Sequence, residues 1–290
     1  MESFAGKVAV ITGAASGFGR EFARLGASLG MRLALADIEP EALAIVVDEL
    51  RGQGAEIFGE TVDVRQAAQV ERLAQNTISR FGAAHLLFNN AGVATGGLLW
   101  EASERDWQWV LGVNLWGAIH GIRSFVPRML KQGDDCHVVN TASVAGLLAP
   151  QGMGVYNVSK HAVVALSETL YQDLRVAGAS VGVTLLCPAF VPTGIAQSER
   201  NRPDELRDAS APTESMRASQ RATEKAVASG RISAEQVARM TFEAIRENRF
   251  YVITHPNILP SVELRLRDVL DQRNPSDPYT FKPELSQRKS

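Results

Sequence analysis

Six short apolar runs alternate with stretches of helical spacing through the first two-thirds of the chain, and this alternation limits the fold more than any other feature. The runs fall at residues 7–12, 32–36, 56–62, 85–88, 136–140 and 180–186. After the first run, apolar residues recur at helical intervals, as on the stripe Phe22, Leu25, Gly26 and Leu29. Further helices are predicted over 39–51 (Pro40 suits a first turn), 67–81, 104–131 (opened by Ser103 as a cap) and 156–177. The runs are continuously apolar, as strands buried on both faces are. Such alternation predicts a parallel sheet covered by helices on both faces.

After Pro188 the rhythm breaks. Residues 194–230 are polar and rich in Arg, Glu, Ser and Ala, and read as a mobile, partly helical insertion. A helix over 233–248 (capped by Ser233), a seventh strand over 250–254 and a helix over 261–272 follow. The Pro-rich, charged end reads as a tail that could be disordered. We therefore expect one domain over 1–260, with a lid at about 190–232 inside it, and a C-terminal helix and tail over 261–290.

The net charge of −2, with no block of like charges, carries no nucleic-acid footprint. Cys136 and Cys187 form no CxxC and suggest no disulfide framework. His85, His120, His137, His161 and His255 are scattered, so no metal is expected. The N-terminus runs directly into the first strand without a basic region and apolar stretch, and no apolar run is long enough to span a bilayer. The expectation is a cytoplasmic protein with no membrane partner.

Gly13, Gly17 and Gly19 lie between the first strand and the first helix. Glycines there let the chain turn tightly, bring backbone close to a pyrophosphate and seat the helix on the sheet. The helix N-terminus offers free N–H groups and a positive dipole end to phosphate. Asp37 ends the second run, where a carboxylate accepts from the ribose hydroxyls of a bound adenosine. Its charge disfavours a 2′-phosphate, and neither Ser16 nor Ile38 beside it is basic, so the expected cofactor is NAD rather than NADP. Asp37 could instead cap the next helix. Asp63, followed by Val64, is a weaker candidate for the adenine amino group and could equally cap the helix beginning near Arg65.

Tyr156 and Lys160 stand four residues apart at the start of a helix, on one face. A tyrosine titrates near 10, so acting as a base near neutral pH needs positive charge nearby. Lys160 supplies one charge and an oxidised nicotinamide another. Ser143 follows the fifth strand, where strand ends converge on a cofactor crevice and its hydroxyl can hold a substrate oxygen.

Together these residues resemble the short-chain dehydrogenase/reductase family over about residues 5–255. Thr12-Gly13-Ala14-Ala15-Ser16-Gly17-Phe18-Gly19 matches its TGxxxGxG turn, and Asn89-Asn90-Ala91-Gly92 its NNAG motif. Asn114, Ser143 and Tyr156 to Lys160 stand at its helix asparagine, its serine and its YxxxK. The resemblance implies a single-domain Rossmann-like doubly wound parallel α/β sheet of about seven strands. It implies Tyr156 as general acid–base, and Lys160 as the group that binds the nicotinamide ribose and lowers the pKa of Tyr156. Ser143 would hold the substrate oxygen, and Asn114 a water in a proton relay reaching Lys160. Asn90, Ala91 and Gly92 would line the adenosine side, and Thr193, with Pro188 and Val191, the nicotinamide or phosphate side. Ala189 departs from the glycine usual after this proline.

The substrate walls are expected from Val93 to Leu99, Val144 to Val155, and Phe190 to about Gly230. Leu98, Leu99, Leu147, Leu148 and Met153 would make them apolar, unless those residues are core. By resemblance, helices 107–131 and 156–177 would pair in a homotetramer, with a homodimer next. A nucleotide-sensing scaffold on the same fold, an isomerase or dehydratase, and an NADP enzyme are the alternatives.

Overall fold

The computed structural model describes residues 1 and 3–281. Seven strands form one parallel sheet: β1 (Val8–Thr12), β2 (Arg32–Asp37), β3 (Ile57–Thr61), β4 (Leu86–Asn89), β5 (Cys136–Thr141), β6 (Val181–Cys187) and β7 (Tyr251–Ile253). Their order is β3-β2-β1-β4-β5-β6-β7. The chain winds outward from β1 to β3, then returns to build from β4 on the other side of β1. A crevice opens beyond the strand ends at such a reversal.

Nine α-helices are described: α1 (Gly17–Ser28), α2 (Pro40–Gly52), α3 (Ala67–Phe81), α4 (Glu104–Leu111), α5 (Gly117–Gln132), α6 (Gly154–Val176), α7 (Glu214–Ala228), α8 (Ala234–Arg246) and α9 (Leu259–Leu270). The period-two pleat sorts the apolar strand residues onto two faces. Ile11, Leu33, Leu35 and Phe88 pack against Phe22 of α1, Leu43 and Val47 of α2, and Phe242 of α8. Phe22 and Phe88 stack with ring centroids 4.7 Å apart. Val10, Ala34, Leu87 and Val138 face the other way, against Leu73 of α3, Phe125 and Met129 of α5, and Leu174 of α6. Both faces are thus buried. Truncating a ring such as Phe22, which is fully buried, would cost about 3–5 kcal/mol.

Where one helix is predicted over 104–131, the structure has two, joined by a π turn at Gly112–Trp116. The start is as expected: Ser103 accepts from the Asp106 N–H and forms a reciprocal capping box with it. The π turn admits one extra residue without leaving the helix axis, so apolar spacing alone does not reveal it.

The insertion after β6 contains two 3-10 segments (Gly194–Asn201 and Asp204–Leu206) followed by α7. Its polar side chains are tied to the body: Ser219 donates to Gly152 O at 2.8 Å, Ser198 Oγ accepts from Ala94 N at 3.2 Å, and Arg202 pairs with Asp106 at 2.8 Å. The end of the chain, expected as a disordered tail, is held to α9 as far as it is described. Residues 282–290, part of that expected tail, lie outside the described residues. No described helix is long and apolar enough to cross a membrane.

Candidate active site

One continuous cleft runs along the C-terminal ends of the strands. Its first wall is the glycine turn. Gly13 has φ +66°, and a Cβ there would sit 2.8 Å from Ala91 Cα. A Cβ on Gly19 would land 2.0 Å from Gly13 O, so only glycine lets α1 seat this closely. No side chain caps α1, although Ser16 stands at its N-cap. Gly13, Ser16, Gly17 and Phe18 line the cleft at this helix start. Ala15 and Gly19 stand behind that wall, where Ala15 N donates to Asp37 Oδ2 at 2.8 Å.

Asp37 is buried at the end of β2 yet faces the cleft. Its other oxygen accepts from Glu39 N at 3.1 Å, whereas the N-cap of α2 is Glu39, so Asp37 is not that helix's cap. Burial pushes its carboxyl up, opposed by the N–H groups of Ala15, Glu39 and Ile38. Asp63 and Val64 also line the cleft, but Asp63 is occupied. Arg65 grips it through Nη2 at 2.7 Å, and the Arg65 N–H donates to it at 3.0 Å. The cap position of α3 belongs to Gln66.

Asn90, Ala91 and Gly92 line the cleft where β4 ends. Thr12 Oγ1 accepts from the N–H of Asn90 at 3.0 Å and of Ala91 at 3.1 Å, while Asn90 Nδ2 donates to Thr12 O at 3.0 Å. These bonds stitch β1 to β4 at the sheet's point of reversal. Thr12, the first residue of the TGxxxGxG motif, thus ties the turn to β4, a role the motif alone does not state.

Ser143, Tyr156 and Lys160 are brought together on the far half of the cleft. Lys160 is buried; its Nζ donates to Thr141 O at 2.8 Å and lies 5.7 Å from the centre of the Tyr156 ring. Burial brings its ammonium down to about 8. Burial pushes the half-buried Tyr156 up to about 12, and the neighbouring Ser143 hydroxyl only partly opposes this. Desolvation of the phenolate thus opposes the expected lowering of the tyrosine. Ser143 Oγ is held against Pro188 O at 3.3 Å and accepts from Ala145 N at 3.1 Å.

Asn114 sits in the π turn and does not line the cleft. Its Oδ1 accepts from Val93 N at 2.8 Å, and its Nδ2 donates to Val93 O and Ser159 Oγ, both at 2.9 Å. The side chain is thus spent on protein groups, and a water held here must use the main chain. Pro188, Val191 and Thr193 line the cleft as expected. Ala189 is not among the residues with positive φ, so the turn accommodates its methyl without backbone strain. Of the five apolar residues expected on the substrate wall, Leu148 and Met153 reach the cleft. Leu98, Leu99 and Leu147 do not: Leu99 covers Gly154 and Leu147 joins a separate core cluster.

Two contacts join distant segments here. Arg200 crosses from the insertion to Glu39 at 2.7 Å, where Asn201 also donates at 2.9 Å, and Arg200 and Glu39 both line the cleft along with Asp37. Arg65 adds a second cation to the cleft. Among the described residues no cluster of His, Cys, Asp and Glu could hold a metal.

One cleft thus joins a glycine turn, a buried carboxylate at the end of β2, and a Ser, Tyr and Lys. The short chain dehydrogenase family model matches residues 7–204. A CLA biosynthesis dehydrogenase/reductase of Lactiplantibacillus plantarum is 34% identical over 278 residues, covering 95% of this chain and 97% of that one. The 1-deoxy-11-beta-hydroxypentalenate dehydrogenase of Streptomyces exfoliatus is 33% identical, over 91% of this chain and 87% of its own. A short-chain dehydrogenase/reductase from Burkholderia phymatum, crystallised in complex with NAD, is 60% identical and superposes with a TM-score of 0.95 over 96% of this chain and 99% of that one. This chain belongs to the short-chain dehydrogenase/reductase family of oxidoreductases.

Proposed function

We propose that the protein is an NAD(H)-dependent oxidoreductase interconverting an apolar secondary alcohol and its ketone, with Tyr156 as general acid–base. The observation that carries this reading is the placing of Ser143, Tyr156 and Lys160 in the same cleft as the glycine turn and Asp37. The cleft fits the cofactor. The N-terminus of α1 is uncapped by any side chain and suits a pyrophosphate, and Asp37 is held by two backbone N–H groups facing the ribose position.

The nicotinamide supplies the hydride acceptor or donor and, when oxidised, a positive charge. Ser143 holds the substrate oxygen by hydrogen bonding. In oxidation, Tyr156 takes the hydroxyl proton as the C–H hydride leaves, so the alcohol loses two electrons and two hydrogens. A hydroxyl held near 12 is a poor base at neutral pH, so the charges of Lys160 and of the oxidised ring must lower it before it acts. Asn114 holds the Val93 loop and Ser159, beside Lys160, and the relay water would rest on its main chain. Leu148, Met153, Phe190 and Val227 give the substrate end its apolar character.

For NADP, the one basic candidate from the insertion is Arg200, and Glu39 already holds it in a two-point pair. We therefore keep NAD. A homotetramer or homodimer built on α5 and α6 is our expectation for assembly, checked by light scattering on the purified protein. The function is tested by titrating NAD+ and NADP+ calorimetrically, then following reduced-cofactor absorbance over a panel of secondary alcohols. Tighter NAD+ binding with turnover supports the reading; tighter NADP+ binding removes the role given to Asp37.

A further inference from the structure

We infer that Tyr279, carried by the C-terminal tail, is a specificity-determining residue that walls the substrate end of the cleft and favours apolar alcohols or ketones whose body extends beyond the reacting carbon. This rests on the function proposed above. The sheet order fixes which end the tail reaches. Asp37 and Asp63 follow β2 and β3 at one edge, whereas Ser143 and Pro188 follow β5 and β6, next to β7 at the other edge. The segment after β7 leads through Ile258 into α9, and both Ile258 and Ser261 line the cleft. The tail then returns to the same place, and Pro278 and Tyr279 complete that wall.

The return is built, not incidental. α9 ends at Leu270, and Gln272 adopts φ +53°, the left-handed turn that reverses the chain. Asp268, buried on the last turn of α9, accepts from Ser276 N at 2.7 Å and from Ser276 Oγ at 3.2 Å, and pairs with Arg273 at 3.1 Å. Asp277 Oδ1 then accepts from Tyr279 N at 2.9 Å and sets the direction of the aromatic residue. A buried carboxylate holding three groups of a Pro-rich tail gives that tail a fixed position. Burial also pushes the Tyr279 phenol up, as expected for a ring tucked against the body.

A ring at this place contacts only the part of a substrate that extends away from Tyr156. Short substrates should not register it and long ones should. Steady-state kinetics of the full-length enzyme with NAD+ over 2-butanol, 2-hexanol, 2-octanol and 2-decanol reads this directly. For Tyr279→Ala we expect kcat/KM on 2-butanol within about twofold of wild type and a loss of about tenfold on the longest substrates, the size of one lost aromatic contact. Tyr279→Phe separates the ring from the hydroxyl and should keep the long-chain preference. Asp268→Ala, which frees the tail without touching the cleft, should reproduce the length-dependent loss, as a positioning residue does. A Tyr279→Ala profile that parallels wild type at every length, or falls equally at every length, overturns the inference. No turnover of any alcohol by the wild type would instead count against the proposed function.

Discussion

Replacing Lys160 by methionine should stabilise the cofactor-free protein near neutral pH while removing its activity. Methionine keeps the unbranched stem and discards the charge. The folded-state pKa is depressed from 10.5 to about 8 by burial. The folded protein therefore binds fewer protons than the unfolded chain between those values. The penalty for burying the ammonium is full below pH 8 and fades as pH rises toward 10.5. The shift corresponds to about 3 kcal/mol. The lost hydrogen bond from Nζ to Thr141 O, 2.8 Å long, returns about 1 kcal/mol. The net gain is thus about 2 kcal/mol near pH 7 and close to zero at about pH 9.5, where much of the penalty has already gone. Urea unfolding of both proteins, at one protein concentration and at the two pH values, measures it. A variant less stable than wild type at about pH 7, or a difference independent of pH, would refute the argument that the site stores strain as a desolvated lysine.

Other expectations follow from the same structure. Gly19→Ala places a Cβ 2.0 Å from Gly13 O, so stability should fall by about 1–3 kcal/mol and NAD+ affinity at least tenfold, read by calorimetry. Arg202→Met leaves the buried Asp106 without its 2.8 Å partner; unfolding should show a loss of about 3–5 kcal/mol, partly recovered in Arg202→Met with Asp106→Asn. His137 is buried neutral with its pKa lowered to about 3. Its contribution is intact above about pH 6.5 and is lost as pH falls toward 3, so His137→Gln should flatten the acid limb of a stability profile.

The parts of the site that are legible in sequence are those whose residues lie close together in the chain. The glycine turn sits at one strand–helix junction, Asn89 to Gly92 at one strand end, and the Tyr156–Lys160 pair in the first turns of α6, so in each case spacing and geometry are tied. The apolar runs match the strand positions to within a residue or two because the strands are mostly buried and β-branched or apolar, although the edge strand β3 is exposed at Gly59 and Thr61. What escaped joins distant segments. Arg200 meets Glu39 across 161 positions, and no periodicity links them. Arg65 takes up Asp63 from only two residues away, yet a carboxylate read as a ligand or cap gives no sign that it is already paired. The π turn has the same apolar spacing as the α-helix around it. Leu98, Leu99 and Leu147 cannot be told from Leu148 and Met153 by sequence, because loop residues have no pattern that states their direction. The tyrosine's titration depends on burial, which a sequence does not list. Residues 273–281 are a related case: a Pro-rich, charged composition argues for disorder, whereas Asp268 holds Ser276 and Arg273 there.

The most direct test of the account compares wild type with Tyr156→Phe, measuring NAD+ affinity and alcohol turnover on the same preparations. The account predicts affinity within about threefold of wild type and turnover lower by at least about a hundredfold, the scale of a lost general acid–base. A variant that binds NAD+ and turns over at the wild-type rate would contradict it.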